Sequence, residues 1–405
     1  MAGVRLRLGL LTHLHAGDDA GDSGLGVAAA TRLEALIRAS ADEAEAARRF
    51  PGSVIAAMAE ARIFRQMAPR VAGGDEIDPI TLLDRVEAIS RIDGSAGWVA
   101  MIGAGAGFLT GYLDTEVGRQ IFANPHACLA GNIGFAGARA VAVSGGYRVS
   151  GRWPFVSGCE HSTYIGGNAS VYDGDSHRVN AAGAPATRIM VFPRDDAQIV
   201  DTWSATGLRA TGSHDVVVSD IFVPEERSLW WADGPKQPGP LYPVRFLIVT
   251  HAAHALGIAR AAIDALVELA EHKVPTRSPG VLRGLPQMQA NLAQAEGLVQ
   301  AARAFMWQTT AEVWELLCAG QPVTLRHRAL LRLAMTHAVQ SAAQAVDLMW
   351  AAAGSSPVYT NSPLERCFRD VHVATQHAAV GLFSLETIGS ALIGSTAPPS
   401  PGSLI

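Results

Sequence analysis

A histidine near the end of the chain, His377, stands eight residues after Arg369 of an Arg369-Asp370 pair. Imidazole titrates close to neutral pH, so a histidine held in a pocket can pass a proton under working conditions. Ser157, in Gly151-Arg152-Trp153-Pro154-Phe155-Val156-Ser157-Gly158, carries a hydroxyl that can both donate and accept. Arg277 and Arg283 flank a Ser278-Pro279-Gly280 loop, and a guanidinium is suited to bidentate contact with phosphate. Each also has a plainer reading. A lone histidine is usually satisfied inside a core, a serine before glycine is common in turns, and a loop arginine is usually solvated.

Other chemistries are disfavoured. His372 is five residues before His377; on a helix that is about 500° of rotation, so the two rings would face apart. Asp370 would share a face with His377 but lie about two turns away, too far for one ion. No metal is expected, and His161, His251, His254 and His337 are read as structural. The four cysteines are far apart with no Cys-x-x-Cys pair, which argues against zinc or a disulfide framework and fits a reducing cytoplasm. The net charge of −5 and pI near 6.2 give no reason to expect nucleic acid or an anionic membrane as partner. Gly103-Ala104-Gly105-Ala106-Gly107 sits in a helical context without a preceding strand, so no built-in nicotinamide site is expected.

The elements that must position these residues follow from periodicity. Residues 1–26 read as a loose tail with no signal peptide. From Val27 to about residue 126 the pattern is helical: Ala28–Arg49, Val54–Ala61, and a helix opened by Asp78-Pro79 as N-cap and first position. Gly94–Leu113 is uncharged and near membrane-spanning length, but its six glycines favour a buried helix. Residues 127–233 carry the alternation and β-branched enrichment of strands, at Tyr147–Trp153, Thr163–Tyr172, Arg188–Pro193 and Val216–Val223. After a Pro/Gly-rich linker, residues 234–394 turn helical again at His251–His272, Leu285–Leu317, Leu325–Ala352 and Leu364–Gly394. Residues 395–405 read as a second tail. The class is α+β, with a β region between two helical ones.

Order and motifs together resemble the acyl-CoA dehydrogenase fold and, within it, the two-component (group D) flavin-dependent monooxygenases. Four stretches carry the resemblance: Ile92-Asp93-Gly94-Ser95-Ala96-Gly97-Trp98, Gly151–Gly158, Trp203-Ser204-Ala205-Thr206-Gly207-Leu208-Arg209-Ala210-Thr211-Gly212-Ser213-His214-Asp215, and Arg369–His377. It implies an N-terminal helical domain, a middle β-barrel domain and a C-terminal four-helix bundle, assembled as a homotetramer. It implies reduced FMN as cofactor, with FAD possible, supplied by a separate NAD(P)H-dependent flavin reductase, and O2 as co-substrate.

The resemblance also implies roles. Ser157 and His377 would be catalytic, stabilising a C4a-hydroperoxide or deprotonating a phenol. Asn132, Phe155, Ser157, Trp203, Thr211, Ser213, Arg277, Arg283, Ser355 and Ser356 would bind flavin, the arginines by reaching a neighbouring subunit. Trp98 and Ser95 would line the substrate pocket. Arg152 and Phe155 depart from the family's usual Lys and Trp. The expected reaction is hydroxylation of an aromatic or phenolic substrate, such as a polyketide or sterol-derived ring. Relatives that dehydrogenate acyl thioesters usually carry a glutamate base where this chain has Ala378; Glu386 is the nearest later carboxylate. Dehydrogenation, N- or S-oxygenation and non-catalytic flavin binding are the rival readings.

Overall fold

The computed structural model describes residues 27–180, 183–276 and 278–394. Both expected tails and Arg277 lie outside the described residues. The described residues open with helices α1 (Val27–Ala47), α2 (Gly52–Glu60), α3 (Pro79–Ile92), α4 (Gly94–Phe108) and α5 (Thr115–Phe122). The Asp78 carboxylate accepts the amides of Ile80 and Thr81, capping α3 as its sequence predicts. Asp93, extended between α3 and α4, accepts the Ala96 amide and caps α4 in the same way. Helix α4 is apolar on all sides and is buried nearly throughout.

Among the described residues nine strands follow: β1 (Leu129–Asn132), β2 (Ala138–Val143), β3 (Gly146–Val156), β4 (Tyr164–Asp173), β5 (Ser176–His177), β6 (Thr187–Pro193), β7 (Gln198–Val200), β8 (His214–Pro224) and β9 (Ser228–Leu229). They pair as β7-β8-β3-β2-β4-β6-β9, with β1 and β5 added to β4. β1 and β2 run parallel to β4, and the other pairs are antiparallel. Among the described residues the end strands β7 and β9 do not pair, so hydrogen bonding leaves the sheet open where a barrel was expected. Those end strands are only three and two residues long, too short to close a ladder. One face of the sheet carries its own core around Trp153, Val149, Ile165 and Phe192.

Five helices complete the described residues: α6 (Thr250–His272), α7 (Pro286–Cys318), α8 (Leu325–Ala352), α9 (Pro363–Thr375) and α10 (Ser384–Leu392). Helix α6 packs on α3, α8 and α9. It extends an apolar stretch, Phe246–His272, that is long and hydrophobic enough to cross a membrane, yet 78% of its most apolar window is buried in the fold.

The expected single helix Leu364–Gly394 is broken. β-branched Val371, Val373 and Thr375 weaken the end of α9, and the Thr375 hydroxyl donates to the His372 carbonyl at 2.6 Å. In the turn that follows, His377 Nδ1 accepts the Ala379 amide at 3.1 Å. His377 therefore sits past a helix end, where helical face arithmetic no longer applies. His372 does point elsewhere, its Nε2 lying 2.9 Å from Asp347 Oδ1.

Candidate active site

Trp98 stands at the centre of the site because α4 comes unusually close to its neighbours. A Cβ on Gly97 would lie 2.0 Å from Ser90 Oγ, and one on Gly94 would lie 2.7 Å from Asp370 Oδ2. Three imidazoles meet the Trp98 indole edge-on: His251 at 5.5 Å, His254 at 5.2 Å and His377 at 5.5 Å between ring centres. The His251 and His377 rings are 4.3 Å apart and tilted by 32°. His251 and His254, three residues apart on α6, share a face. Sequence reasoning gave both a structural role; the available signal was this His-x-x-His spacing on an apolar helix.

The hydrogen bonds assign the tautomers. His254 Nε2 lies 2.8 Å from the Gly94 carbonyl, and His251 Nδ1 lies 2.8 Å from the Ile248 carbonyl. Carbonyls only accept, so those nitrogens carry the protons. This leaves His254 Nδ1 and His251 Nε2 as acceptors, and both are buried without a partner. His377 accepts at Nδ1, so its neutral ring carries a donor N–H at Nε2. Burial lowers the pKa of all three rings: His254 to about 4, His377 to about 4 with the Arg332 charge adding to the effect, and His251 well below its ordinary value, with His377 adding to burial. At neutral pH the cluster is uncharged.

A line of hydroxyls leads away from Trp98. The indole N–H donates to Ser157 Oγ at 2.9 Å; Ser157 Oγ is 2.7 Å from Ser213 Oγ, which is 2.7 Å from Thr211 Oγ1; Thr211 donates to the Leu208 carbonyl at 2.8 Å. An indole can only donate and a carbonyl can only accept, so each hydroxyl donates toward Leu208. All three hydroxyl residues are buried. Ser157 Oγ keeps acceptor capacity while its proton is engaged by Ser213, and its amide is bonded to the Phe155 carbonyl. The Leu208 amide donates to Asp370 Oδ1 at 2.6 Å. Burial, followed by repulsion from Asp93, raises the Asp370 pKa to about 7. Ser95, in the first turn of α4, is buried.

On the sheet side, Phe155 is 66% exposed and has φ +56°, at a register shift between β3 and β8. A left-handed, exposed phenylalanine is strained, and such strain clusters where ligands bind. Trp203 meets it edge-on at 6.3 Å. Asn132 Nδ2 donates to the Pro154 carbonyl at 2.8 Å and so fixes the same turn. Exposed aromatic surface beside an ordered strand end fits a planar heterocycle such as the isoalloxazine of flavin.

The remaining expected contacts lie elsewhere. Lys273, just past the C-terminus of α6, donates to Ser356 Oγ at 2.7 Å and to the Ala353 carbonyl. Arg283 pairs with Glu271, and Ser355 is exposed nearby. At ~1.5 Å per residue, the length of α6 separates this group from His251 by roughly 30 Å. Within one chain the structure does not bring Arg283, Ser355 and Ser356 to the Trp98 cluster.

Residues 249–381 match the family profile "Acyl-CoA dehydrogenase, C-terminal domain". An indole-3-acetate monooxygenase of Pseudomonas putida is 34% identical over 387 residues, covering 93% of this chain and 97% of the relative. The oxygenase subunit HsaA of a flavin-dependent monooxygenase from Rhodococcus jostii is 30% identical, with 86% and 93% covered. The crystal structure of a 3-HSA hydroxylase from Rhodococcus superposes with a TM-score of 0.83 at 26% identity, over 92% of this chain and 97% of that one.

Proposed function

The chain belongs to the flavin-dependent monooxygenases built on the acyl-CoA dehydrogenase fold, and from that premise we propose that it hydroxylates a small aromatic ring. It is an oxygenase that uses reduced flavin and O2, with the flavin reduced by a separate NAD(P)H-dependent enzyme. Reduced flavin, when bound, activates O2 and supplies the oxygen atom that enters the ring. Phe155, Trp203 and Asn132 would hold its ring system. The neutral His377 would donate a hydrogen bond from its Nε2–H to the reacting oxygen, and the unpartnered Nε2 of His251 would accept a proton from the substrate. Ser157 would brace Trp98, which with the imidazoles keeps water out of the reaction space.

The observation that carries this reading is the cluster of three neutral imidazoles around Trp98, with no free carboxylate beside them among the described residues. Removal of hydrogen from an acyl thioester needs a carboxylate base. Ala378 offers none, Asp370 is engaged by the Leu208 amide, and Glu386 is exposed on α10. Related proteins act on indole-3-acetate and on resorcinol by their names; a one- or two-ring aromatic is the substrate class proposed here.

We read three domains, residues 27–126, 127–233 and 234–394, the last a four-helix bundle. In a cytoplasmic homotetramer, Arg277, Arg283, Ser355 and Ser356 would serve the flavin phosphate of a neighbouring subunit, which for Arg283, Ser355 and Ser356 accounts for their distance from Trp98 within one chain. FMN is the expected flavin, with FAD accepted.

The test is a single turnover of enzyme-bound reduced FMN with O2 in the presence of small aromatic compounds. Oxygenated product with little H2O2 is the expected outcome. Reduction of the bound oxidised flavin by an acyl-CoA, with no oxygenated product from any aromatic, would overturn the assignment.

A further inference from the structure

Beside the imidazole cluster lies a cavity of about 260 Å3 with Tyr112, Trp231, Arg245, Arg328 and Arg332 in its walls. It shares two supports with the site. Arg332 donates to the Ala378 carbonyl at 3.4 Å, next to His377, and Ile248, which also lines the cavity, holds His251 through its carbonyl. Taking the site to be that of the aromatic hydroxylase proposed above, we infer that this cavity is an anion subsite and that the substrate is an aromatic acid whose carboxylate is held by Arg328 and Arg332.

The charge distribution carries the inference. Among the described residues no Asp or Glu lines the cavity. Among the described residues neither Arg328 nor Arg332 has an ion pair, and Arg332 Nε is buried without a hydrogen-bond partner. The two stand four residues apart on α8, where like charges repel. Arg245 lies over the Trp231 ring at 4.4 Å and feels the Arg328 charge. Burial lowers the pKa of Arg245 and Arg332, which marks guanidinium charge held in a poorly solvated place.

Carboxylates are not scarce, since acids outnumber Lys and Arg by 37 to 32. Elsewhere the chain pairs its arginines closely: Arg303 with Asp84 and Glu87, Arg366 with Asp42 and Glu45, Arg260 with Glu296. Arg328 and Arg332 have no such partner among the described residues. A carboxylate accepts fork-like guanidinium bonds, and Tyr112 and Trp231, edge-on at 4.9 Å, add aromatic surface. The volume is just below the roughly 300–1,000 Å3 usual for small-molecule sites, which suits a one- or two-ring acid and disfavours a steroid. With the carboxylate anchored here, the ring would extend toward His251 and His377, so the arginines would also choose which ring carbon is oxidised.

The test compares the binding of indole-3-acetate and of its neutral amide to the full-length protein by calorimetry. Wild type should bind the acid about tenfold or more tighter than the amide, and Arg328→Gln and Arg332→Gln should each lose that preference, as expected when a buried charge pair is truncated. Arg328→Lys should retain part of it, which separates charge from misfolding. Equal affinity of wild type for acid and amide, or an acid preference intact in both Gln variants, would overturn the inference. Reduced FMN is titrated in parallel. If the Gln variants lose FMN affinity and keep the acid preference, the cavity holds the flavin phosphate and the inference fails. Reduced FMN bound and consumed by O2, with no acid preference, removes the subsite alone; no binding of reduced FMN by wild type removes the broader functional reading.

Discussion

The Trp98 cluster and the arginine cavity touch through Arg332, yet they treat polarity in opposite ways. Around Trp98 the imidazoles are neutral, His251 Nε2 and His254 Nδ1 stand as buried acceptors, and the hydroxyls of Ser157, Ser213 and Thr211 donate in one fixed sense. In the cavity, Arg328 and Arg332 stand close together with no ion pair among the described residues. The first region is preorganised: its dipoles are set before anything binds, which is how a protein stabilises a reacting group without reorganisation. The second is unfinished and is completed by a ligand. Chemistry and recognition are thus separated by one side chain.

The largest effect should come from breaking the first region at its reacting edge. His377→Ala removes the donor N–H while leaving Phe155 and Trp203 in place. Product formation should fall by ~10²–10³-fold, the usual contribution of one preorganised hydrogen-bond donor, with oxygen diverted to H2O2. Product and peroxide measured in one turnover check this; unchanged coupling would remove His377 from the reaction.

A smaller effect should follow in the interior of the same region. Ser213→Ala deletes the acceptor of the Ser157 proton and the donor to Thr211. Leaving buried hydroxyls unsatisfied costs about 1–3 kcal/mol, read as a lower unfolding midpoint in denaturant at unchanged slope. A loss confined to product yield at full stability would mean that the hydroxyl line serves the reaction instead of the fold.

The subtlest change tests the contact between the regions. Burial and then Arg332 hold the His377 pKa down to about 4, so the neutral ring persists until the pH falls through that value, and the acid limb of activity should lie well below 6.5. Removing a neighbouring positive charge makes protonation easier. Arg332→Gln should therefore raise the His377 pKa and move the acid limb toward higher pH, with burial still holding it below 6.5. A pH profile of kcat for the amide substrate checks the sign; a limb that stays put would uncouple the two regions.

How much of this was legible in the sequence follows the range of the interactions. Local codes were readable: Asp78-Pro79 opens α3 by a cap two and three residues away, and the strands declare themselves by alternation. The break after Thr375 was missed because apolar spacing continues through a turn that is set by a threonine hydroxyl and the His377 ring nitrogen. His251 and His254 looked structural because the indole they surround belongs to a helix about 150 residues earlier. Arg245, Arg328 and Arg332 are unremarkable as letters; their shared cavity exists only after the segment before α6 and helix α8 come together. The Ser157–Ser213–Thr211 line was visible as residue types, but its direction depends on two ends, Trp98 and Leu208, that only the fold brings into line.

The glycines at 94 and 97 have a consequence for how such an enzyme diversifies. With Asp370 against one and Ser90 against the other, α4 is docked by backbone contact and has no slack to slide or tilt. The distance from Trp98 to the imidazoles is then a fixed dimension of the scaffold. New substrates would have to be accommodated by exchanging side chains in the cavity wall, at 328, 332 or 231, while the frame that carries out the oxidation is inherited unchanged.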